Sequence, residues 1–114
     1  MTDSRSQQNE KPFISINTFT PVDGGIDALT EFQLTEMQEM DEQATEHGWL
    51  NKEVYRADDG SSLVVVTRFR SAAAKAEWAK TDRFKQHVED LGPFVQDVTS
   101  VPVTFAAAHG NHDA

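Results

Sequence analysis

The first patterned stretch is Phe13–Phe19, FISINTF. Period-two alternation puts Phe13, Ser15, Asn17 and Phe19 on one face of a strand and Ile14, Ile16 and Thr18 on the other. Pro21 ends it, and Asp23-Gly24-Gly25 is a turn able to cap a helix. From Gly25 to Glu46 the apolar positions Ile26, Leu29, Phe32, Met37, Met40 and Ala44 recur mostly at steps of three and four, which predicts an amphipathic helix. His47-Gly48 is its stop. Trp49–Arg56 reads as a second strand, Asp58-Asp59-Gly60-Ser61 as a hairpin turn, and Ser62–Arg70 as a third strand. That third strand is apolar on both faces: Leu63, Val65 and Phe69 on one, Val64 and Val66 on the other. Both sides of the sheet therefore expect a cover.

Ser71 is a natural N-cap for the alanine-rich helix that follows, which carries Trp78. The helix breaks at Thr81-Asp82. A second short helix places Phe84, His87, Val88 and Leu91 on one stripe, and Gly92-Pro93 stops it. A final strand is expected within Phe94–Ala106, strongest at Val101–Ala106, with Pro102 marking its start or an edge position. The order is strand, helix, strand, strand, broken helix, strand. This is the βαββαβ unit of the α+β class, an antiparallel sheet of four strands with helices on one face. The uncovered apolar face then calls for a second copy of the chain, packed sheet against sheet.

At 114 residues the chain has room for one domain. Residues 12–106 are expected to form it, with a disordered tail at 1–11 and a flexible tail at 107–114. No apolar run is long enough for a membrane span, and the first residues lack the apolar core of a secretory signal, so the cytoplasm is the expected compartment. The net charge of −9 repels phosphate backbones and anionic membranes, which argues against nucleic acid or membrane as a partner. Acidic residues, Glu36 and Glu39 among them, crowd the first helix, and basic residues from Arg68 to Lys85 crowd the region opposite. The two runs read either as solvated helix faces or as a basic region that greets an anionic or phenolic ligand. The absence of cysteine excludes disulfides, thiolate metal sites and cysteine nucleophiles.

No phosphate-binding glycine loop, paired-histidine metal motif or nucleophile elbow is present. His109 and His112 fall in the terminal tail. The candidates for chemistry are Asn17, Tyr55, Trp78 and His87. Asn17 is either a locally bonded strand amide or a donor to a bound oxygen. Trp78 either fills the space beside the small alanines or forms a flat wall for an aromatic ligand. His87 is either a satisfied core histidine or a group that transfers a proton or ligates. Tyr55 is either a sheet tyrosine or a hydrogen-bond donor to substrate. Asn17 faces the side that the helices cover, and Trp78 and His87 lie on that cover, so the gap between sheet and helices is the expected pocket.

The run VVVTRFRSAAAKAEWAKTDRFKQHVEDLGPF, preceded by INTFTPVDGG and GWLNKEVYR, resembles the antibiotic biosynthesis monooxygenase domain family over about residues 13–106. The resemblance implies a ferredoxin-like unit that pairs into a dimeric α+β barrel, and hence a homodimer. It implies a small monooxygenase that oxidises an aromatic or quinone-type molecule with dioxygen and without a cofactor. In that reading His87 is the base, and Asn17, Tyr55 and Arg68 stabilise the oxyanion, although Val65 and Phe69 stand where quinone-forming members carry asparagine and tryptophan. Haem degradation is the alternative activity. There Asn17, Trp78 and His87 match in type, order and spacing, with His87 as iron ligand. A non-catalytic dimeric binding module is the third reading.

Overall fold

The computed structural model describes residues 11–111. Strands β1 (Phe13–Pro21), β2 (Trp49–Arg56), β3 (Leu63–Phe69) and β4 (Val95–Val103) form one antiparallel sheet in the order β2-β3-β1-β4. Helix α1 (Ile26–Glu46) connects β1 to β2. Helices α2 (Ala72–Ala79) and α3 (Asp82–Leu91), with a short 3-10 turn at Gly92–Phe94, connect β3 to β4. The fold is thus ferredoxin-like α+β, as the strand and helix order predicted. Among the described residues, no helix is long and apolar enough to cross a membrane.

The local signals explain the boundaries. Ser71 caps α2, its Oγ accepting from the Ala74 N–H at 3.1 Å. Thr81 makes the break between α2 and α3: its hydroxyl donates to the Trp78 carbonyl at 2.7 Å and accepts from the Phe84 N–H at 3.1 Å. One side chain therefore closes one helix and opens the next. Gly48 ends the turn after α1 with φ of 91°, and its carbonyl accepts from the Arg70 N–H at 2.8 Å. The β2–β3 hairpin closes through Gly60, at φ of 75°, with Asp59 Oδ1 accepting from the Ser61 N–H at 3.0 Å.

The last strand falls within the expected Phe94–Ala106, but it occupies Val95–Val103 and not the Val101–Ala106 end where the pattern is strongest. The turn at Gly92–Phe94 returns the chain at once, the Phe94 carbonyl accepting from the Val22 N–H at 3.1 Å, so pairing starts with Val95 opposite Pro21. Pro102 lies inside β4, where an edge strand with a neighbour on one side tolerates it. Residues 104–111 have no regular secondary structure. Of the expected tails, residues 1–10 and 112–114, including His112, lie outside the described residues.

On β3 the helix-covered face (Leu63, Val65, Thr67, Phe69) is buried throughout, and the opposite face is only half-buried. The buried core falls into two clusters. One gathers Phe19, Leu29, Leu63, Val65 and Leu91, and the other Met40, Ala44, Phe69, Ala74 and Trp78. On the opposite face of the sheet, Ile16, Tyr55 and Val101 are exposed, beside half-buried Ile14, Val64 and Val66.

Candidate functional site

The space between the two core clusters is a cavity of about 330 Å³ that opens between the sheet and the helices. Val65 and Phe69 from β3, Met37 and Met40 from α1, Trp78 from α2 and Phe84 from α3 supply its apolar walls. Its polar groups are few: Asn17, Gln33, Asp41, Lys52, Thr67, Lys75, His87 and Ser100. An apolar concavity with a small number of convergent polar groups is the usual form of a small-molecule site. A dry cavity of ~150 Å³ accommodates one benzene, so this one has room for roughly two or three fused rings.

His87 is the most elaborately held of the polar groups. It follows Phe84 by one helical step, which turns it from α3 onto α1, where its ring stacks on Phe32 at 5.6 Å with an interplanar angle of 14°. Its Nδ1 lies 2.9 Å from Glu36 Oε1. Glu36 is in turn gripped by both guanidinium nitrogens of Arg83, at 3.2 and 3.0 Å. A carboxylate clamped by arginine accepts hydrogen bonds and does not donate them, so His87 Nδ1 carries the proton and Nε2 keeps its lone pair. Burial pushes the His87 pKa below its ordinary value; the Glu36 contact opposes that, and the charges of Lys52 and Arg83 reinforce it. For Glu36, burial alone would raise the carboxyl pKa, but the bonds and charges of Arg83 and His87 outweigh it and hold the group below its ordinary value. The result is a neutral imidazole, oriented through a carboxylate, beside an apolar cavity.

Three of the four candidates read from the sequence meet at this cavity: Asn17, Trp78 and His87. Asn17 is already engaged, its Nδ2 donating to the Val65 carbonyl and its Oδ1 accepting from the Ser15 hydroxyl, both at 3.0 Å. Trp78 is 3% exposed and packs between His47 and Phe84. Tyr55 does not join them. It pairs with Val64 on the opposite face of the sheet and is 55% exposed. A shift of register between Trp49 and Asn51 sets this parity, turning Lys52 and Val54 toward the helices and Tyr55 away. Arg68 is on Tyr55's side as well, bonded to Asn51 and Glu53 at 3.0 Å.

Sequence reasoning missed Gln33, Glu36 and Lys52, whereas Lys75 lies in the basic run read as a region that greets an anionic or phenolic ligand. Gln33 and Glu36 passed for part of a solvated acidic helix, yet both are buried on α1. The signal was present, since Leu29, Gln33, Glu36, Met40 and Ala44 recur at steps of three and four. His109, the described one of the two tail histidines, is exposed and away from the cavity. Among the described residues no group of three or more potential metal ligands exists.

A family model described as antibiotic biosynthesis monooxygenase matches residues 12–90. Solved structures share the fold. Rv0793 from Mycobacterium tuberculosis is 20% identical, with a TM-score of 0.71 over 88% of this chain and 100% of that one. PA3566 from Pseudomonas aeruginosa is 19% identical, with a TM-score of 0.68 over 86% and 97%. A monooxygenase from the gene ActVA-Orf6 of Streptomyces coelicolor, in complex with the ligand nanaomycin D, is 19% identical, with a TM-score of 0.74 over 89% and 93%. Likeness at these identities is one of fold. No curated protein sequence gives a significant match.

Proposed function

The chain belongs to the antibiotic biosynthesis monooxygenase family, and from that premise we propose that it oxidises an electron-rich aromatic or quinone-type molecule with dioxygen in the cavity between sheet and helices. The observation that carries this reading is His87, whose Nε2 has no partner among the described residues while Nδ1 is fixed by the Arg83–Glu36 clamp. His87 acts as the general base, with a pKa lowered by burial so that it is neutral at working pH. Glu36 stabilises the imidazolium once the proton has moved, and Arg83 holds Glu36 in place.

The chemistry closes without an outside reductant. Nε2 removes a proton from a phenol or from the acidic methylene it activates, and the resulting carbanion gives its electrons to dioxygen. A methylene plus dioxygen becomes a carbonyl plus water, all four electrons coming from the substrate. Aromatic and aliphatic walls exclude water from the anion, which favours electron transfer over reprotonation. Tyr55 and Arg68 take no part, being on the far side of the sheet. The test is incubation with oxygen-18 gas and a panel of hydroxynaphthalenes and anthrones, read by mass spectrometry. One labelled oxygen in a product supports the reading, and no uptake across the panel overturns it.

The reaction so written needs no resident cofactor. Haem, the alternative, does not fit the residues present. Asn17's amide is committed to Val65 and Ser15, Trp78 is buried in the core, and His87 is flanked by Phe32 and Phe84 at 5.6 and 6.0 Å. Haem titration is expected to give no Soret shift that depends on His87.

We propose further that the protein is a homodimer through the helix-free face of the sheet. Ile16, Tyr55 and Val101 there are 37%, 55% and 54% exposed, on a surface continuous with Val64 and Val66. Sedimentation at micromolar concentration should give twice the chain mass of 12.7 kDa, and a monomer would overturn this.

A further inference from the structure

The cavity holds a second set of groups that the oxidation does not use. Lys52 faces it from β2, because the register sets it opposite Thr67 on the helix-covered side. Lys75 faces it from α2, with Nζ 4.9 Å from the centre of the Phe84 ring. Neither ammonium has an ion pair or hydrogen bond among the described residues. Burial pushes both amines below the usual lysine range. At Lys52 the charge of Lys75 adds to the effect, and that of Glu36 opposes it.

The nearby acids do not answer these cations. Glu36 is committed to Arg83 and His87, and Asp41 lines the cavity from its solvent-exposed side, its Oδ1 accepting from Thr45 at 3.4 Å, with no ion pair to either lysine among the described residues. Gln33 Nε2 and Trp49 Nε1 are fully buried side-chain donors without a partner among the described residues, but neither atom has surface open to the cavity, so the lysines supply its positive charge. Two cations therefore face one largely apolar space in a chain whose net charge is −9. Two half-buried like charges in one concavity are unfavourable unless an anion lies between them.

We propose that the cavity selects an aromatic acid: a flat, mostly apolar body bearing a carboxylate that Lys52 and Lys75 flank. This deepens the reading of the cavity as the substrate site and rests on it, but not on the oxidation. The carboxylate enters as a permanent anion, and the phenolic or methylene carbon that reacts is a separate part of the ligand, turned toward His87. The two lysines thus act as a specificity element and His87 as the base.

The test is calorimetric binding to the full chain, without oxygen, of 2-naphthoic acid, its methyl ester and its amide. The ester forgoes at least one charge-assisted hydrogen bond, which corresponds to about tenfold or more in affinity, so the acid is expected to bind at least about tenfold more tightly. Raising salt from about 50 to 500 mM should weaken the acid and leave the ester unchanged. In Lys52→Met/Lys75→Met the preference should fall to within about threefold, and that variant should melt at or above the wild-type temperature, since it removes two half-buried like charges from one cavity. Lys52→Arg keeps the charge and should keep the preference, which preserves the test if the double variant fails to fold. An ester that binds as well as the acid overturns the proposal, as does a preference that survives in the folded double variant, or no binding of any of the three. A protein that binds the acid selectively yet takes up no oxygen refutes the oxidation alone, and one that oxidises neutral substrates while preferring the ester refutes this inference alone.

Discussion

Replacing Glu36 with glutamine would cut the centre out of the His87–Glu36–Arg83 chain. The glutamine keeps one acceptor oxygen but loses the charge, so Arg83 is left without its counter-ion and His87 Nδ1–H competes for the oxygen that remains. Breaking one side of a buried pair destabilises by ~3–5 kcal/mol. The Glu36 side chain is 9% exposed and that of Arg83 24%, so water partly rescues the guanidinium. The low end, about 3 kcal/mol, is the expected loss; for a domain of this size that is roughly 12 °C in melting temperature. The His87 titration, followed by NMR, tests the electrostatics separately. Glu36 raises the His87 pKa and Arg83 lowers it. Glu36→Gln should therefore move it further down, and Arg83→Met should move it up. Glu36→Leu/Arg83→Met, which removes both charges, should recover most of the lost stability. If the two single variants shift His87 in the same direction, or if Glu36→Gln melts within about 2 °C of wild type, the chain does not orient the imidazole as described.

Three further outcomes follow from other parts of the molecule. Gly48→Ala places a Cβ 2.9 Å from that of Ala74 at a φ of 91°, so urea unfolding should show a loss of about 2 kcal/mol or more. The folded pKa values of His87 and Glu36 both lie below their ordinary 6.5 and 4.5, so the unfolded chain binds the extra protons. The contribution of these two groups should be full above pH 6.5 and be lost in two stages as the pH drops below 6.5 and then below 4.5, with the first stage absent in His87→Gln. Val66→Asp, on the exposed side of β3 opposite Ile16, should shift the sedimentation equilibrium toward monomer without lowering the helical circular dichroism.

Most of the architecture was legible because it rests on local rules. Ser71 is a natural cap before an alanine-rich run, the helix breaks at Thr81-Asp82 as read, Asp59-Gly60 is a turn, and the alternation of β1 survives intact. Parity was harder. Tyr55 read as a candidate because a strand alone does not say which face meets the helices, and a register shift at the start of β2 decides it. Glu36 and Lys52 were hidden for a related reason. Charge normally marks the solvated side, and here tertiary contacts override that expectation by bringing Arg83 onto Glu36 and the helices over Lys52. The placement of β4 depended on how tightly Gly92–Phe94 turns, which Pro102 obscured by suggesting a later start.

The central claim is that His87 removes the substrate proton while the cavity alone binds the ring. Oxygen uptake and ligand affinity, measured together on wild type and His87→Gln, test it most directly. A general base contributes ~10²–10⁴ in rate, so kcat should fall at least about a hundredfold while affinity for a non-reacting naphthoate stays within about threefold of wild type. A rate that falls less than about tenfold, or one that falls only in step with affinity, would contradict the account.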